Sequence, residues 1–263
     1  MPPLTADLPA AAAAFRRRAR RRIRDELRDL APGRRLRLQL GLAAVERHAA
    51  GAADFRVLDA GSEEGLLCLR LARRHPGWSL VAADIAEEPL RRGRQWAREQ
   101  GLAVQFVRCD LTAHLGDGVY DAVVALESLV EIPDDRAAMR RMAQALAPGG
   151  VLVAQVPTAT WTPVLPGAER SWRREARHGY EADDLRAVLE ELGLTVRELR
   201  PTFHRLAALA QDVRDRVKHR GVAVRLPLLP VMAAVVRLER LGVVWGAPRS
   251  WFVVATANGP RAR

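Results

Sequence analysis

Cysteine, lysine and aromatic residues are scarce in this sequence of 263 residues, and each scarcity excludes something. The two cysteines, Cys68 and Cys109, preclude a disulfide scaffold and form no metal-spaced pair, so a reduced, cytoplasmic setting without a metal is expected. No stretch reaches the eighteen or so apolar residues of a membrane span; the longest uncharged run near the C-terminus is 226–236. A secretory pattern is also missing, because the apolar residues 10–15 precede the arginines instead of following them. Aromatics make up only 5% of the chain, yet 49% is hydrophobic, ample for one α/β domain with appendages.

Lys218 is the only lysine among 42 basic residues, and the net charge of +11 is unevenly spread. Residues 16–37 hold eleven arginines against Asp25, Glu26 and Asp29, a local balance of +8 that leaves +3 for the rest. Phe15, Ala19, Ile23, Leu27 and Leu30 recur at helical spacing within that segment, and Pro32 and Gly33 are expected to end it. Residues 1–50 thus read as a basic helical arm on a nearly neutral body, 51–263. Such an arm suits nucleic acid, an anionic surface or an acidic partner. The Arg and Ala bias of the whole chain fits coding composition better than selection for phosphate contacts, which makes nucleic acid the weaker reading.

After a second helical stretch, 36–49, short β-branched runs alternate with amphipathic helical ones. Strands are expected at 56–60, 79–84, 104–109, 120–126, 151–156 and 195–199, with helices at 65–74, 87–100, 134–146 and 182–192. That alternation predicts a doubly wound, mostly parallel sheet covered on both faces. A seventh strand, 251–257, follows residues 202–249, whose helical stretches are broken at Gly221, Pro227 and Pro230 and read as a capping insertion.

In an open parallel sheet ligands bind beyond the carboxyl ends of the strands, where strand order reverses. The first strand closes on Asp59-Ala60-Gly61-Ser62-Glu63-Glu64-Gly65, an acid and a glycine-bearing turn; the second closes on Asp84 and the third on Cys109-Asp110-Leu111. A carboxylate at Asp84 suits both hydroxyls of a ribose, and one at Asp110 suits the amine of an adenine. Glu63 and Glu64 would repel a pyrophosphate, which favours a nucleoside carrying a charged amino-acid tail.

These pieces, with Tyr120-Asp121-Ala122-Val123-Val124, Leu146-Ala147-Pro148-Gly149-Gly150 and the run from Gly179 to Leu194, resemble class I S-adenosylmethionine-dependent methyltransferases over residues 56–199. The resemblance implies a Rossmann-like seven-stranded sheet with its last strand antiparallel, and S-adenosylmethionine as cofactor. It places Asp59, Ala60, Gly61 and Ser62 at the methionine part, with Gly65 closing the turn. Asp84 and Ile85 fall at the ribose, Asp110 and Leu111 at the adenine, and Leu126 on the opposite side. Two residues depart from the family. Glu63 stands where glycine is common, so its side chain is expected to leave the turn, and Glu131 stands where a histidine is often found.

Methyl transfer from a sulfonium is an in-line displacement, and a base is needed only if the acceptor must lose a proton. The candidates are His178, Glu131 and Glu127, His178 having the most suitable ordinary pKa. The sequence Ala125-Leu126-Glu127-Ser128 lacks the proline pair of amino-methylating nucleic-acid enzymes, leaving O- or N-methylation of a small-molecule acceptor, hydrophobic or acidic. Trp161, Trp172 and Tyr180 are candidate walls for it, and Arg170, Arg173, Arg174 and Arg177 candidate partners for an acidic group; packing of the insertion is the alternative use of the aromatics. Residues 226–236 suit a pocket lining, a membrane surface or the core of the cap. An RNA methyltransferase using the basic arm and a catalytically idle cofactor-binding module are the competing readings.

Overall fold

In a computed structural model, residues 31–166, 176–217, 219–220 and 222–259 are described. The apolar stripe expected at 15–30 and the candidate acceptor contacts Arg170, Trp172, Arg173 and Arg174 lie outside them.

Helix α1 (Pro32–Ala49) leads into β1 (Arg56–Ala60), α2 (Leu66–Arg74), β2 (Ser79–Asp84), α3 (Glu87–Gln100), β3 (Gln105–Arg108) and β4 (Tyr120–Leu126). Then come α4 (Asp135–Ala145), β5 (Leu146–Pro157), α5 (Ala182–Glu191) and β6 (Leu194–Thr202). Three cap helices, α6 (Arg205–Val217), α7 (Val222–Arg225) and α8 (Leu228–Arg240), precede β7 (Ser250–Ala257). The seven strands form one sheet in the order β3-β2-β1-β4-β5-β7-β6. Neighbours from β3 to β5 are parallel, and β7 runs antiparallel to both β5 and β6. The doubly wound sheet with an antiparallel last strand is therefore as expected.

In the central strand β4 the run Ala122–Leu126 is continuously apolar because both faces of the sheet are covered. On one face Leu58, Val123 and Leu152 pack with Met139 and Met142 of α4 and Leu185 of α5. On the other, Val57, Val124 and Phe252 meet Leu67 and Leu71 of α2 and Leu42 and Val45 of α1. A third cluster joins Leu36 of α1 to Phe203, Ala207, Met232 and Val236 of the cap. The described part of the expected arm, α1, is thus built into the core.

Two prolines sit in the first turns of helices: Pro32 begins α1, four residues before the expected start at 36, and Pro230 lies in the first turn of α8 instead of breaking it. The reason is the same for both: the first N–H groups of a helix have no intrahelical partner, so a proline there sacrifices nothing. The cap is tied down by the buried Arg249–Asp212 pair at 3.1 Å. Asp212 also accepts from the backbone N–H of Val164 (2.7 Å) and Leu165 (3.1 Å), anchoring the loop after β5. Among the described residues, no helix is long and apolar enough to cross a membrane.

Candidate functional site

Strand order reverses between β1 and β4, and the register sets the ends of β1, β2 and β3 side by side, with Ala60 opposite Ala83 and Asp84 opposite Arg108. The turn after β1 is held by Ala83, whose carbonyl accepts from Gly61 N (2.8 Å) and Ser62 N (2.9 Å). Gly61 has φ +78°, and a Cβ there would stand 2.2 Å from Ser128 Cβ, so only glycine fits under the loop after β4. Glu63 has φ +50°, also left-handed, the physical reason glycine is favoured at this position. Its side chain is exposed, pairs with Arg34 and lines the cleft beside the turn.

The three rim acids differ in environment. Asp59 is 5% exposed. Burial, then the charges of Asp84 and Glu63, push its carboxyl up to about 7 against the opposing pull of Arg37. Asp84 is fixed by two backbone donors, Ala86 N on Oδ1 and Glu63 N on Oδ2, both at 2.8 Å. Each oxygen keeps a lone pair for a ligand. Asp110 is exposed, and Thr112 donates to its Oδ1 from N (2.9 Å) and Oγ1 (2.8 Å), which holds the carboxyl below its ordinary range. Ile85 is 63% exposed beside this rim while Leu111 is buried beneath it.

Leu126, Asp59, Gly61, Ser62 and Glu63 line one cleft together with Arg34 and Arg37 of α1. The Ser62 hydroxyl is buried there with no hydrogen-bond partner among the described residues. Arg34 bridges Glu63 and the buried Glu64 (3.0 Å), which Arg92 clamps from α3 (3.1 Å). Burial lowers the Arg37 pKa, with Glu127, Glu63 and Asp59 opposing that shift. These two arginines are the functional candidates missed in the sequence. They lie three residues apart in the first two turns of α1, among other arginines, and nothing local in the sequence sets them apart.

Directly after β4, Glu127 adopts φ +66°, and its Oε1 accepts from Gln155 Nε2 (3.1 Å) and Ser250 Oγ (3.0 Å). Ala176 N and Arg177 N both donate to Val130 O, laying the segment that carries His178 over the turn Leu129–Glu131. His178 is exposed and stacks on Trp161 with ring centroids 6.1 Å apart, while the Arg249 guanidinium covers the same indole at 4.6 Å. Glu131 is exposed on the turn itself. Tyr180 is no wall of an open site: it is buried and donates to Asp135 Oδ2 at 2.6 Å, and Arg177 pairs with the same carboxylate at 3.2 Å. Burial, reinforced by Asp135, lifts the phenol well above its ordinary pKa.

A family model described as a methyltransferase domain matches residues 15–199. The ubiquinone biosynthesis O-methyltransferase of Pectobacterium carotovorum is 34% identical over 113 residues, 42% of this chain and 46% of that protein. Its counterpart in Cronobacter sakazakii is 29% identical over 159 residues, 59% of this chain and 65% of that protein. The chain thus spans less than two thirds of these curated relatives. Among solved structures, the cyclase SpnF superimposes with a TM-score of 0.62 at 21% identity, covering 83% of this chain and 81% of that one. Phosphoethanolamine N-methyltransferase 2 of Haemonchus contortus, in complex with S-adenosyl-L-methionine, gives 0.62 at 15% identity, over 84% of this chain and 52% of that one. At these identities the solved structures speak for the fold, whereas the family model covers most of the chain: this protein belongs to the methyltransferase-domain family.

Proposed function

We propose that the chain transfers a methyl group from S-adenosylmethionine to an oxygen of a planar small-molecule acceptor. The observation that carries this reading is the set of three acids on adjacent strand ends, Asp59, Asp84 and Asp110, around a turn hostile to phosphate. The residues present fit the cofactor. Asp84 holds two free lone pairs for vicinal hydroxyls, and the buried Ser62 hydroxyl waits for a partner. Asp110 keeps Oδ2 for an exocyclic amine, with Ile85 and Leu111 as apolar contacts. Arg37 supplies a countercharge for a carboxylate, and Asp59, with the Ala60 to Ser62 backbone and Gly65, frames the methionine end opposite Leu126.

When bound, the cofactor supplies a methyl group already activated on a sulfonium, so the chain's main task is alignment. The anchored Glu127 and the Trp161 indole orient the acceptor, and His178 takes its proton; Glu131 stands further out as a surface acid. Oxygen as the methylated atom is supported by the printed names of the curated relatives. Both cysteines are free thiols, in keeping with a reducing compartment. The RNA alternative loses two of its basic residues, because Arg34 and Arg37 turn into the cleft.

Calorimetry with S-adenosylhomocysteine, followed by turnover assays on a panel of phenols, tests the reading. Micromolar binding and methyl ether formation are expected. NAD binding more tightly than S-adenosylhomocysteine would overturn the cofactor assignment, and cofactor binding without turnover of any acceptor would favour the idle module.

A further inference from the structure

Helix α8 has two unlike faces. Met232, Val235 and Val236 are buried against α1 and α6, whereas Val231, Ala234, Leu238 and Leu241, at spacings of three, four and three, all face solvent. The chain then exposes Val243, Val244 and Trp245, with Leu241 68% and Trp245 58% accessible. A soluble surface rarely displays so many large apolar side chains together.

The exposed charges of α8 and those lining the adjoining groove have one sign. Arg237 and Arg240 are exposed on α8, and with Arg35 of α1 they line an open groove of about 520 Å3 whose lining contains no acid. Arg205 lies over the Trp245 ring at 5.4 Å. Glu239, the acid of α8, is turned inward: its side chain is 5% exposed and accepts from His204 Nδ1 at 2.7 Å. Apolar side chains beside an aromatic ring and a row of guanidinium groups are the composition of a helix that lies in a lipid interface.

We propose that this face, α8 with the segment to Trp245, docks onto an anionic lipid bilayer, the apolar side chains entering the interface while Arg35, Arg237 and Arg240 meet lipid phosphates. Charge complementarity selects this occupant. Residues 1–30 carry eight arginines against four acids, so that segment would be repelled from a cationic face. A second copy would bring the same positive charge to the contact. The inference does not depend on which acceptor is methylated.

Sedimentation of the full chain with phosphatidylcholine vesicles, with and without phosphatidylglycerol, tests it. Binding is expected to need phosphatidylglycerol and to weaken as salt rises. Reversing two arginines (R237E/R240E) should lower the partition coefficient about tenfold or more. A separate variant without charge reversal of arginine, L241D/V243D, should lose binding similarly, circular dichroism being unchanged in both. Failure of the full chain to bind anionic vesicles would overturn the proposal. So would undiminished binding in both variants, which would assign it to residues 1–30, or a dimer in solution that either variant dissociates.

Discussion

Replacing Asp59 by asparagine tests whether a buried acid at the end of β1 burdens the folded state. The residue is 5% exposed, and its carboxyl faces the charges of Asp84 and Glu63, with Arg37 as the compensating cation. In the native chain its pKa is pushed up to about 7 from an ordinary 3.8. Between those values the folded protein holds a proton that the unfolded chain has released, so stability is full below about pH 4 and declines as pH rises through 7. A displacement of that size corresponds to about 4 kcal/mol above pH 7, an upper figure because relaxation around the charge reduces it. Asp59→Asn removes the titration while keeping the shape. The variant should match the parent near pH 4 and exceed it at pH 8, by several degrees in thermal melting. Urea denaturation followed by circular dichroism at half-unit steps from pH 4 to 8 gives the difference directly. A second readout comes from binding: the ammonium of S-adenosylhomocysteine favours ionised Asp59, so calorimetry at pH 6 in buffers of different ionisation enthalpy should register proton release in the parent and not in the variant. A stability difference that stays constant across the pH range would refute the reasoning.

Asp84→Ala should weaken S-adenosylhomocysteine binding by roughly 1.5 to 3 kcal/mol, through loss of charge-assisted hydrogen bonds, and unchanged calorimetric affinity would remove it from the ribose position. Glu63→Gly relieves a left-handed backbone but loses the Arg34 pair, effects of about 1 kcal/mol each, so affinity should change less than in Asp84→Ala. A larger loss would make Glu63 a direct ligand. Asp212→Ala leaves the Arg249 charge buried and two backbone donors unpaired, and should cost about 3 to 5 kcal/mol in urea denaturation; a cost under 1 kcal/mol would show that water reaches the pair. His178→Ala should lower kcat about a hundredfold with cofactor affinity intact, and retention of both the rate and the acidic limb of the pH profile would make it a bystander.

The sheet was legible because its central strands are apolar runs bounded by turn residues, a local pattern that survives in any tertiary context. Helix α3 falls at 87–100 as expected, with Gly101 in the left-handed conformation closing it. The early start of α1 at Pro32 and the continuity of α8 through Pro230 were not legible, because a proline stops a helix only beyond its first turn, and where a turn begins depends on distant packing. The acids at the rim were legible from their places at strand ends. Arg34 and Arg37 were not: which side of α1 meets the cleft is decided by how Leu36, Leu42 and Val45 seat that helix on the body, and no local pattern encodes that. The left-handed backbone at Glu63 and Glu127 was equally hidden, since neither residue type announces it.

The strand order has a bearing on how the chain is made. Among the described residues β6 pairs only with β7, and β7 is the last of the seven strands in chain order. During synthesis β1 to β5 can assemble early, but β6 then has no neighbour to pair with, and the far side of β5 stays open until residues 250–257 arrive. Such non-local pairing closes late and leaves strand edges exposed to other chains in the interval. A premature stop anywhere in the cap would therefore delete more than the cap: it would leave two unpaired edges in the middle of the sheet, and the truncated product should collect as aggregate.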